Sequence, residues 1–308
     1  MRFIAQTYFV LLNIIFNHDF VFRLIGLINR RRPFLKGVFV TYPNTEKIAL
    51  QLAPRWLLGY LKWRPYLHGP YQQTGAGWAL KFYISSYPEE IADPQNKDRR
   101  RKLLDRLDRL RLLLATQEML FGFALEAALA QDRHRDPQGQ LRVSFRSPAI
   151  AAKLAVNTAL KIRIENGFDN APVIFLAGNS MLRRIKQHLT ERGLAWEPLL
   201  VDPRLDWPEE VSALIDGAAV FISLAKEEEL IAIREELGRH WFIVNEAYLK
   251  DPQGFIERLR RPQWQAVYQL CGARGRTIPD IRNIYRGALP CCQVLSDDSM
   301  MPVIRKIE

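Results

Sequence analysis

Residues 171–189, APVIFLAGNSMLRRIKQHL, decide the fold that the sequence predicts. Five apolar residues, 173–177, follow a proline and predict a buried strand, and a Gly-Asn-Ser turn comes next. After the turn, Leu182, Ile185 and Leu189 recur at helical spacing on one face, with basic residues on the other. A strand, a tight glycine turn and a helix form the opening unit of a nucleotide-binding βαβ fold, in which a diphosphate binds N–H groups at the helix start.

The turn keeps one of the three glycines that a dinucleotide-binding fingerprint requires. If Gly178 is the first of them, Ser180 and Arg183 occupy the other two positions. A side chain in this loop hinders the close approach of a diphosphate, because glycine alone leaves the room. The predicted cofactor-binding residues of the turn are Ala177, Gly178, Asn179 and Ser180.

Two residues after the next apolar run extend this predicted cofactor site. Asp202 lies 24 residues beyond Gly178, about where the fold holds the adenosine ribose. An aspartate there favours a free 2′-hydroxyl, as in NAD(H), whereas Arg204 is suited to meet the 2′-phosphate of NADP(H).

The surrounding pattern predicts an α/β chain in two parts. Apolar runs at 196–201, 218–224 and 241–244, with a helical segment at 227–237, favour a Rossmann-like parallel sheet with right-handed crossovers over residues 146–295. A strand at 37–41, an alternating strand at 77–83 and an amphipathic helix at 95–115 predict an N-terminal α/β domain of the substrate-binding type over residues 37–145. Residues 296–308 are expected to form a tail.

The first 36 residues form a separate apolar and amphipathic element. Its apolar run at 8–16 is too short to span a bilayer, and Asn17, His18 and Asp19 interrupt it before a second run at 20–28. Three arginines, 30–32, close the element. This pattern suits a helical element lying in a membrane interface with its arginines at anionic headgroups, and equally a helix pair packed on the body or on a second subunit.

Charge and composition limit the classes of partner. A net charge of +11 fits a nucleic acid, an anionic membrane or an acidic ligand such as a phosphopantetheine carrier or coenzyme A. The arginines are spread among apolar helices and no zinc-finger or RNP-type pattern is present, which argues against nucleic acid. Three cysteines without a disulfide framework predict a reducing, cytoplasmic location, peripheral to the membrane if the first 36 residues bind lipid. None of the five histidines has metal-ligand spacing, so no metal is expected.

From about residue 37 to 295, the chain resembles the long-chain acyl-carrier-protein reductases and the related predicted amino-acid dehydrogenases, whose nucleotide domain is shikimate-dehydrogenase-like. The resemblance is carried, in order, by GVFVTYP, LFGFALE, SFRSPAIAAKLAVNTALKI, VIFLAGNSMLRRIKQHL, AAVFISLA, WFIVNEAYLK, GARGRTIPD and GALPCC. It implies an enzyme that transfers a fatty acyl group from an acyl-carrier-protein or coenzyme A thioester to a cysteine and reduces it to an aldehyde with NADPH.

The resemblance also implies catalytic residues. The family's nucleophile corresponds here to Cys291 or Cys292, and an attacking thiol must be ionised, which nearby cations favour. Tyr248 and Lys250 follow the fifth strand at the spacing that the family has, where Lys250 would bind a phosphate or stabilise an oxyanion.

Two other functions remain open at this stage. The loss of fingerprint glycines favours a non-catalytic Rossmann-fold accessory or scaffold protein at a membrane surface. A small-molecule NAD(P)-dependent dehydrogenase of shikimate type would share the fold and need no cysteine. The sequence leaves open whether the chain forms a homo-oligomer and how long a substrate chain it would accept.

Overall fold

The structure is a computed structural model of mixed α/β class with mostly parallel strand pairing, as the sequence predicts. It describes residues 2–42, 49–50, 53–116, 118–129, 147–165, 167, 170–193, 197–203, 207–238, 240–246, 252–259, 267–278, 287–295 and 300–306. The chain divides into two compact units. Unit 1 comprises Met1–Arg146, Gly275–Arg286 and Cys292–Ser299, and unit 2 comprises Ser147–Arg274, Gly287–Cys291 and Met300–Glu308.

Unit 1 contains helices on a mixed sheet. Its described helices are α1 (Arg2–Phe16), α2 (Asp19–Arg31), α3 (Arg55–Tyr60), α4 (Pro88–Ala92), α5 (Lys97–Leu114) and α6 (Phe123–Leu129), with a 3-10 turn at Pro94–Asn96. Its strands are β1 (Leu35–Thr41), β2 (Tyr66–Gln73), β3 (Gly77–Tyr83) and β4 (Glu118–Phe121), and residues 275–277 of β9 (Val267–Thr277) pair with β2. The order is β4-β1-β3-β2-β9, with β1 parallel to both of its neighbours and β2 antiparallel to both of its own.

The core of unit 1 lies between one face of this sheet and helices α2 and α5. Helix α5 repeats leucine at helical spacing, and these leucines pack with Val38, Val40 and Phe82 of the strands. Helix α2 approaches α5 closely at Gly26, where a Cβ atom would lie 1.9 Å from the carbonyl oxygen of Leu113. The absence of a side chain at Gly26 therefore permits the close packing of the two helices.

Unit 2 alternates strands and helices. Its described helices are α7 (Ser147–Glu165), α8 (Asn179–Glu191), α9 (Glu209–Ser212), α10 (Glu227–Ala232) and α11 (Pro252–Leu259). Its strands are β5 (Val173–Leu176), β6 (Leu199–Val201), β7 (Ala219–Ser223), β8 (Trp241–Asn245), the first part of β9, β10 (Ala288–Leu289) and β11 (Pro302–Lys306). The parallel order is β6-β5-β7-β8-β9, and β10 and β11 add to β9 in the antiparallel sense.

The strands of unit 2 are apolar throughout because helices cover them. On one face, Ile174, Phe221 and Ile243 pack with apolar residues of α9, α10 and α11. Helix α7 packs on α8 and on β7, and α8 buries the three apolar residues that the sequence predicts for its inner face. Continuous apolar strands of this kind are typical of parallel sheets.

Two predicted boundaries differ from the structure. The helix expected over 227–237 ends at Ala232 and continues as turns. The expected tail contains β11, whose Val303 pairs with Gly272 of β9, and Lys161 of α7 donates a hydrogen bond to the Pro302 carbonyl oxygen at 3.1 Å. The alternation of apolar and polar residues in this segment is too short to predict a strand. The strand is stabilised by its pairing with β9.

Candidate functional site

The carboxyl edge of the parallel strands in unit 2 collects the residues that follow each strand. Ala177 and Gly178 follow β5, Asp202 follows β6, Leu224 follows β7 and Glu246 follows β8. The strand order reverses at β5, since β6 pairs with one side of it and β7 with the other. In open α/β sheets, ligands bind at the carboxyl edge beside such a reversal.

The predicted cofactor residues of the first turn lie at this reversal. Gly178 is the N-cap of α8 with φ −66° and ψ 153°, an extended conformation that any residue adopts. Asn179 and Ser180 form the first turn of the helix, and Ala177 is buried. The backbone of the turn therefore does not itself require glycine at position 178.

Asp202 also lies at the start of α8. It is 4% exposed, and its Oδ2 accepts a hydrogen bond from the Asn179 backbone N–H at 3.2 Å. The structure thus brings together Gly178, Asn179 and Asp202, as the sequence predicts. Asp202 also has a structural role that the sequence analysis does not predict. Its carboxylate lies at the N-terminus of α8 and stabilises the helix.

Glu246 is a titratable group at the same edge. Burial raises its pKa to about 8, so the carboxyl is mainly protonated at neutral pH and can donate a proton. Its backbone N–H donates to the carbonyl oxygen of Ser223 at 2.8 Å, and the Ser223 hydroxyl, which is fully buried, has no hydrogen-bond partner in the part of the chain that the structure describes. In the sequence, Glu246 comes directly after an apolar strand, and this position predicts that its carboxyl lies at the carboxyl edge of the sheet.

The two cysteines expected to act as nucleophile follow β10 in the chain. Cys291–Gln293 is a 3-10 turn in which Cys291 belongs to unit 2 and Cys292 to unit 1. Both thiols are half-buried. Burial raises the pKa of Tyr42, and Glu89 and Cys292 raise it further, so Cys292 lies near Tyr42.

Three of the predicted site residues, Arg204, Tyr248 and Lys250, lie outside the described residues. Within the described residues, no group of three or more His, Cys, Asp or Glu side chains could hold a metal ion.

A second feature, which the sequence predicts in outline, is the outer surface of α1 and α2. We call it the hairpin surface and define it by eleven exposed apolar residues: Ile4, Tyr8, Leu11, Ile14, Ile15, Phe16, Phe20, Leu24, Leu27, Ile28 and Phe34. These are eleven of the seventeen large apolar residues found exposed in the part of the chain that the structure describes. A concentration of exposed apolar residues on one element indicates a candidate interaction site.

The inner sides of both helices are held on unit 1 by asparagines. Asn13 of α1 bonds both backbone groups of Leu67, at 2.9 Å and 2.7 Å. Asn29 of α2 is buried and bonds both backbone groups of Leu35, at 2.9 Å and 2.8 Å. These contacts, with the packing of Phe9 and Phe22, fix which sides of the helices remain exposed.

No single helix among the described residues has the length and apolar composition to cross a membrane. Residues Gln6–Phe16 and Asp19–Arg31 meet that test only together, as a pair bent by 75°.

Comparisons with known proteins give few matches. The chain matches no protein family and no curated protein. Among solved structures, it is similar to the crystal structure of apo MatB from Rhodopseudomonas palustris, with 12% sequence identity and a TM-score of 0.27. The match covers 85% of this chain and 56% of that chain, so this chain spans little more than half of the length of MatB.

The predicted acyl-thioester reductase is wrong by this comparison. The matched structure is acyl-CoA synthetase-like and does not support that activity. The resemblance to the acyl-carrier-protein reductases stays a prediction.

Proposed function

We propose that this protein binds the surface of an anionic membrane through its hairpin surface. The single observation that supports this function most directly is the exposure of apolar residues on the outer sides of both α1 and α2. Phe20 is 76% exposed and Ile4 is 71% exposed, although both lie in helices whose inner sides pack on unit 1. Leaving so many large apolar side chains half-exposed to water is costly, at about 1 kcal/mol for each one, and an apolar medium removes that cost.

Charge favours a lipid bilayer as this medium. Helix α2 ends in Arg30 and Arg31, and Arg32 follows, all of them exposed beside Leu27 and Ile28. Arg23 is also exposed on α2. Basic residues flanking an apolar helix face bind anionic headgroups while the apolar side chains enter the outer part of the acyl region. The net charge of +11 adds a long-range attraction to the same surface.

The angle between the helices suits a position in one leaflet. A pair bent by 75° exposes apolar residues from both segments without forming a continuous membrane-spanning helix. We therefore propose a protein that lies on the membrane, with α1 and α2 inserted in the interface and the rest of unit 1 in water.

Flotation with vesicles tests this proposal. We expect the full chain to float with vesicles that contain phosphatidylglycerol and to bind more weakly to vesicles of phosphatidylcholine alone. Leu24→Glu with Leu27→Glu should weaken binding by more than about tenfold, because two apolar contacts are replaced by charges that anionic lipid repels. Arg30→Gln with Arg31→Gln should weaken binding to the anionic vesicles alone, by roughly fivefold for each arginine.

A matched control adds the same charge elsewhere. Gln95→Glu with Ala213→Glu places two acidic residues at exposed positions outside the hairpin surface, and this variant should bind nearly as the wild type does. Equal binding by the control and by the Leu24/Leu27 variant would contradict the proposal. A wild-type chain that ignores vesicles and forms a dimer lost in the Leu24/Leu27 variant would assign the surface to a second copy instead.

A specific observation favours a second candidate function, in unit 2. We propose that unit 2 is a Rossmann-like module that binds a dinucleotide at the carboxyl edge beside β5. The reversal of strand order at β5, with Asp202 and the start of α8 next to it, supports this. Asp202 favours NAD(H) over NADP(H), since a carboxylate hydrogen-bonds a free 2′-hydroxyl and repels a 2′-phosphate.

Calorimetric titration with NADH and NADPH tests the second candidate. We expect NADH to bind more tightly than NADPH, and Asp202→Asn to reduce that preference. Gly178→Val is informative because valine can adopt the extended backbone observed at this position, and a loss of binding in a variant with the wild-type circular dichroism spectrum reports obstruction of the ligand. If neither dinucleotide binds the folded wild-type chain, unit 2 is not a dinucleotide-binding module.

A further inference from the structure

The second face of the unit 1 sheet, opposite the core formed with α2 and α5, carries polar groups that have no evident structural use. Lys81 and Tyr83 of β3 alternate with core residues and so lie on this face. The ring contacts of Tyr83 with Tyr66 and His68 of β2, at 5.9 Å and 5.1 Å between centroids, place those two residues beside it. Phe39 of β1 completes the group, which we call the Lys81 cluster.

A β-bulge brings His68 into this cluster. Leu67 pairs with Phe82 and Gly69 pairs with Lys81, so His68 is the extra residue between two consecutive pairs. A bulge redirects a side chain that regular alternation would place otherwise, and bulges are frequent beside functional sites. The imidazole lies between the rings of Phe9, at 4.9 Å, and Tyr83.

Lys81 is a buried cation surrounded by rings. The residue is 8% exposed, and its ammonium lies 5.7 Å from the centroid of the Phe39 ring and 5.3 Å from that of Tyr83. These contacts stabilise the charge partly. Among the described residues, no carboxylate forms an ion pair with Lys81. A buried charge without a counter-ion is costly, so the environment is complementary to an added negative charge.

The two neighbouring polar groups are also without partners. Among the described residues, the Nδ1 of His68, which is 4% exposed, has no hydrogen-bond partner, and neither has the hydroxyl of Tyr66, which is 1% exposed. Burial and the charge of Lys81 lower the pKa of His68 well below its usual value, so the imidazole is neutral and carries one N–H donor. Burial raises the pKa of Tyr66, which therefore keeps its O–H donor.

We propose that Lys81, His68 and Tyr66 form a binding site for a small oxyanion, either a carboxylate or a phosphate group. Lys81 supplies the charge and hydrogen-bond donors, and the other two residues supply neutral donors. A metal cation does not fit, because the only charged member of the cluster is positive. The site belongs to unit 1 and is independent of both functions proposed above.

Calorimetric titration of the full chain in a non-ionic detergent tests the site, with sodium acetate and with inorganic phosphate against sodium chloride at matched ionic strength. We expect saturable binding of at least one of the two oxyanions. Binding of acetate alone identifies a carboxylate site, binding of phosphate alone a phosphate site, and binding of both a general oxyanion site. No saturable binding of either oxyanion overturns the proposal.

Variants assign the binding to these residues. Lys81→Met keeps the length of the side chain and removes its charge, and should weaken binding by roughly tenfold to a hundredfold. Tyr66→Phe removes a single hydroxyl and should weaken binding several-fold. Lys102→Met, at an exposed position of α5, is the control and should bind as the wild type does.

Lys81→Met and Tyr66→Phe together ensure that the proposal can be tested even if one of the two variants does not fold. If Lys81→Met does not fold, Tyr66→Phe alone decides, because removal of one unpartnered hydroxyl leaves the packing of the ring in place. Wild-type affinity in a folded Lys81→Met or in Tyr66→Phe would overturn the proposal.

Discussion

Helices α2 and α8 have the same length, thirteen residues, and both alternate apolar with basic side chains, yet they use their faces in opposite ways. Helix α8 buries Leu182, Ile185 and Leu189 and exposes its charged residues. Helix α2 buries Phe22, Gly26 and Asn29, a mixed set, and exposes most of its large apolar residues. An amphipathic pattern alone therefore does not predict whether an apolar helix face packs against protein or contacts lipid. The apolar face of α8 packs in a protein core, and we propose that the apolar face of α2 contacts lipid.

The strongest test of this comparison exchanges an apolar residue for a charge on each helix. Ile185→Asp should lower the free energy of unfolding by about 4 kcal/mol, because Ile185 is fully buried and the new carboxylate has no partner there. Leu24→Asp should change it by no more than about 0.5 kcal/mol, because Leu24 is 50% exposed. Denaturant unfolding in detergent measures both. Similar losses would mean that the outer side of α2 is part of a core.

A glycine pair tests the inner side of α2. Gly26→Ala should destabilise unit 1 by about 2 kcal/mol, since its Cβ would overlap the Leu113 carbonyl and separate α2 from α5. The control is Gly59→Ala in α3, where no atom of the described residues lies within 4 Å of the added Cβ, and alanine there should be neutral or stabilising by up to about 1 kcal/mol. A neutral Gly26→Ala would mean that α2 is not held against α5, and the contrast with α8 would fail.

The edge beside α8 should respond to pH. Because the pKa of Glu246 is raised to about 8 in the folded chain, from 4.5, the folded state holds this proton more tightly than the unfolded state. The resulting stability is fully present below about pH 4.5 and is lost as the pH rises towards 8. We expect a loss of about 2 kcal/mol, reduced by partial exposure of the residue. Unfolding curves across this range should show the loss in the wild type and a smaller one in Glu246→Gln.

The smallest expected effect on the free energy of unfolding concerns the carboxylates at the N-termini of α2 and α8. Helix α2 has Asp19 in its own first turn, exposed and paired with Arg109, whereas α8 obtains a carboxylate from Asp202 after β6. Asp202→Asn should lower the free energy of unfolding by about 1 kcal/mol because the capping carboxylate loses its charge. Asp19→Asn should cost no more than about 0.5 kcal/mol, since surface ion pairs contribute little. Equal losses of stability in Asp202→Asn and Asp19→Asn would contradict the expectation that the carboxylate at the start of α8 contributes more than the one at the start of α2.

Local pattern predicted the elements of unit 2 well and those of unit 1 less completely. The strands β5, β7 and β8 are short apolar runs and were predicted within one or two residues. Strand β2 was not, because its sequence YLHGPYQQ mixes proline, glycine and polar residues, and pairing on both sides with β3 and β9 stabilises it. Strand β9 was missed because its apolar residues are few and it pairs with four other strands.

The candidate sites of the two units also differ in how far the sequence predicts them. Gly178, Asn179 and Asp202 could be predicted from strand-turn-helix spacing, since the carboxyl ends of neighbouring parallel strands meet at one edge. The Lys81 cluster could not, because its residues come from three strands and one of them reaches the cluster through a bulge.

The sequence by itself determined the α/β class, the strand-turn-helix unit at the start of α8, and the amphipathic character of α1 and α2, because each of these depends on the periodicity of neighbouring residues. Only the tertiary structure decided which side of α2 is buried, that Asp202 caps α8, and that Lys81 lies buried among aromatic rings. These features depend on contacts between residues far apart in the chain, such as Gly26 with Leu113, and no local pattern carries that information.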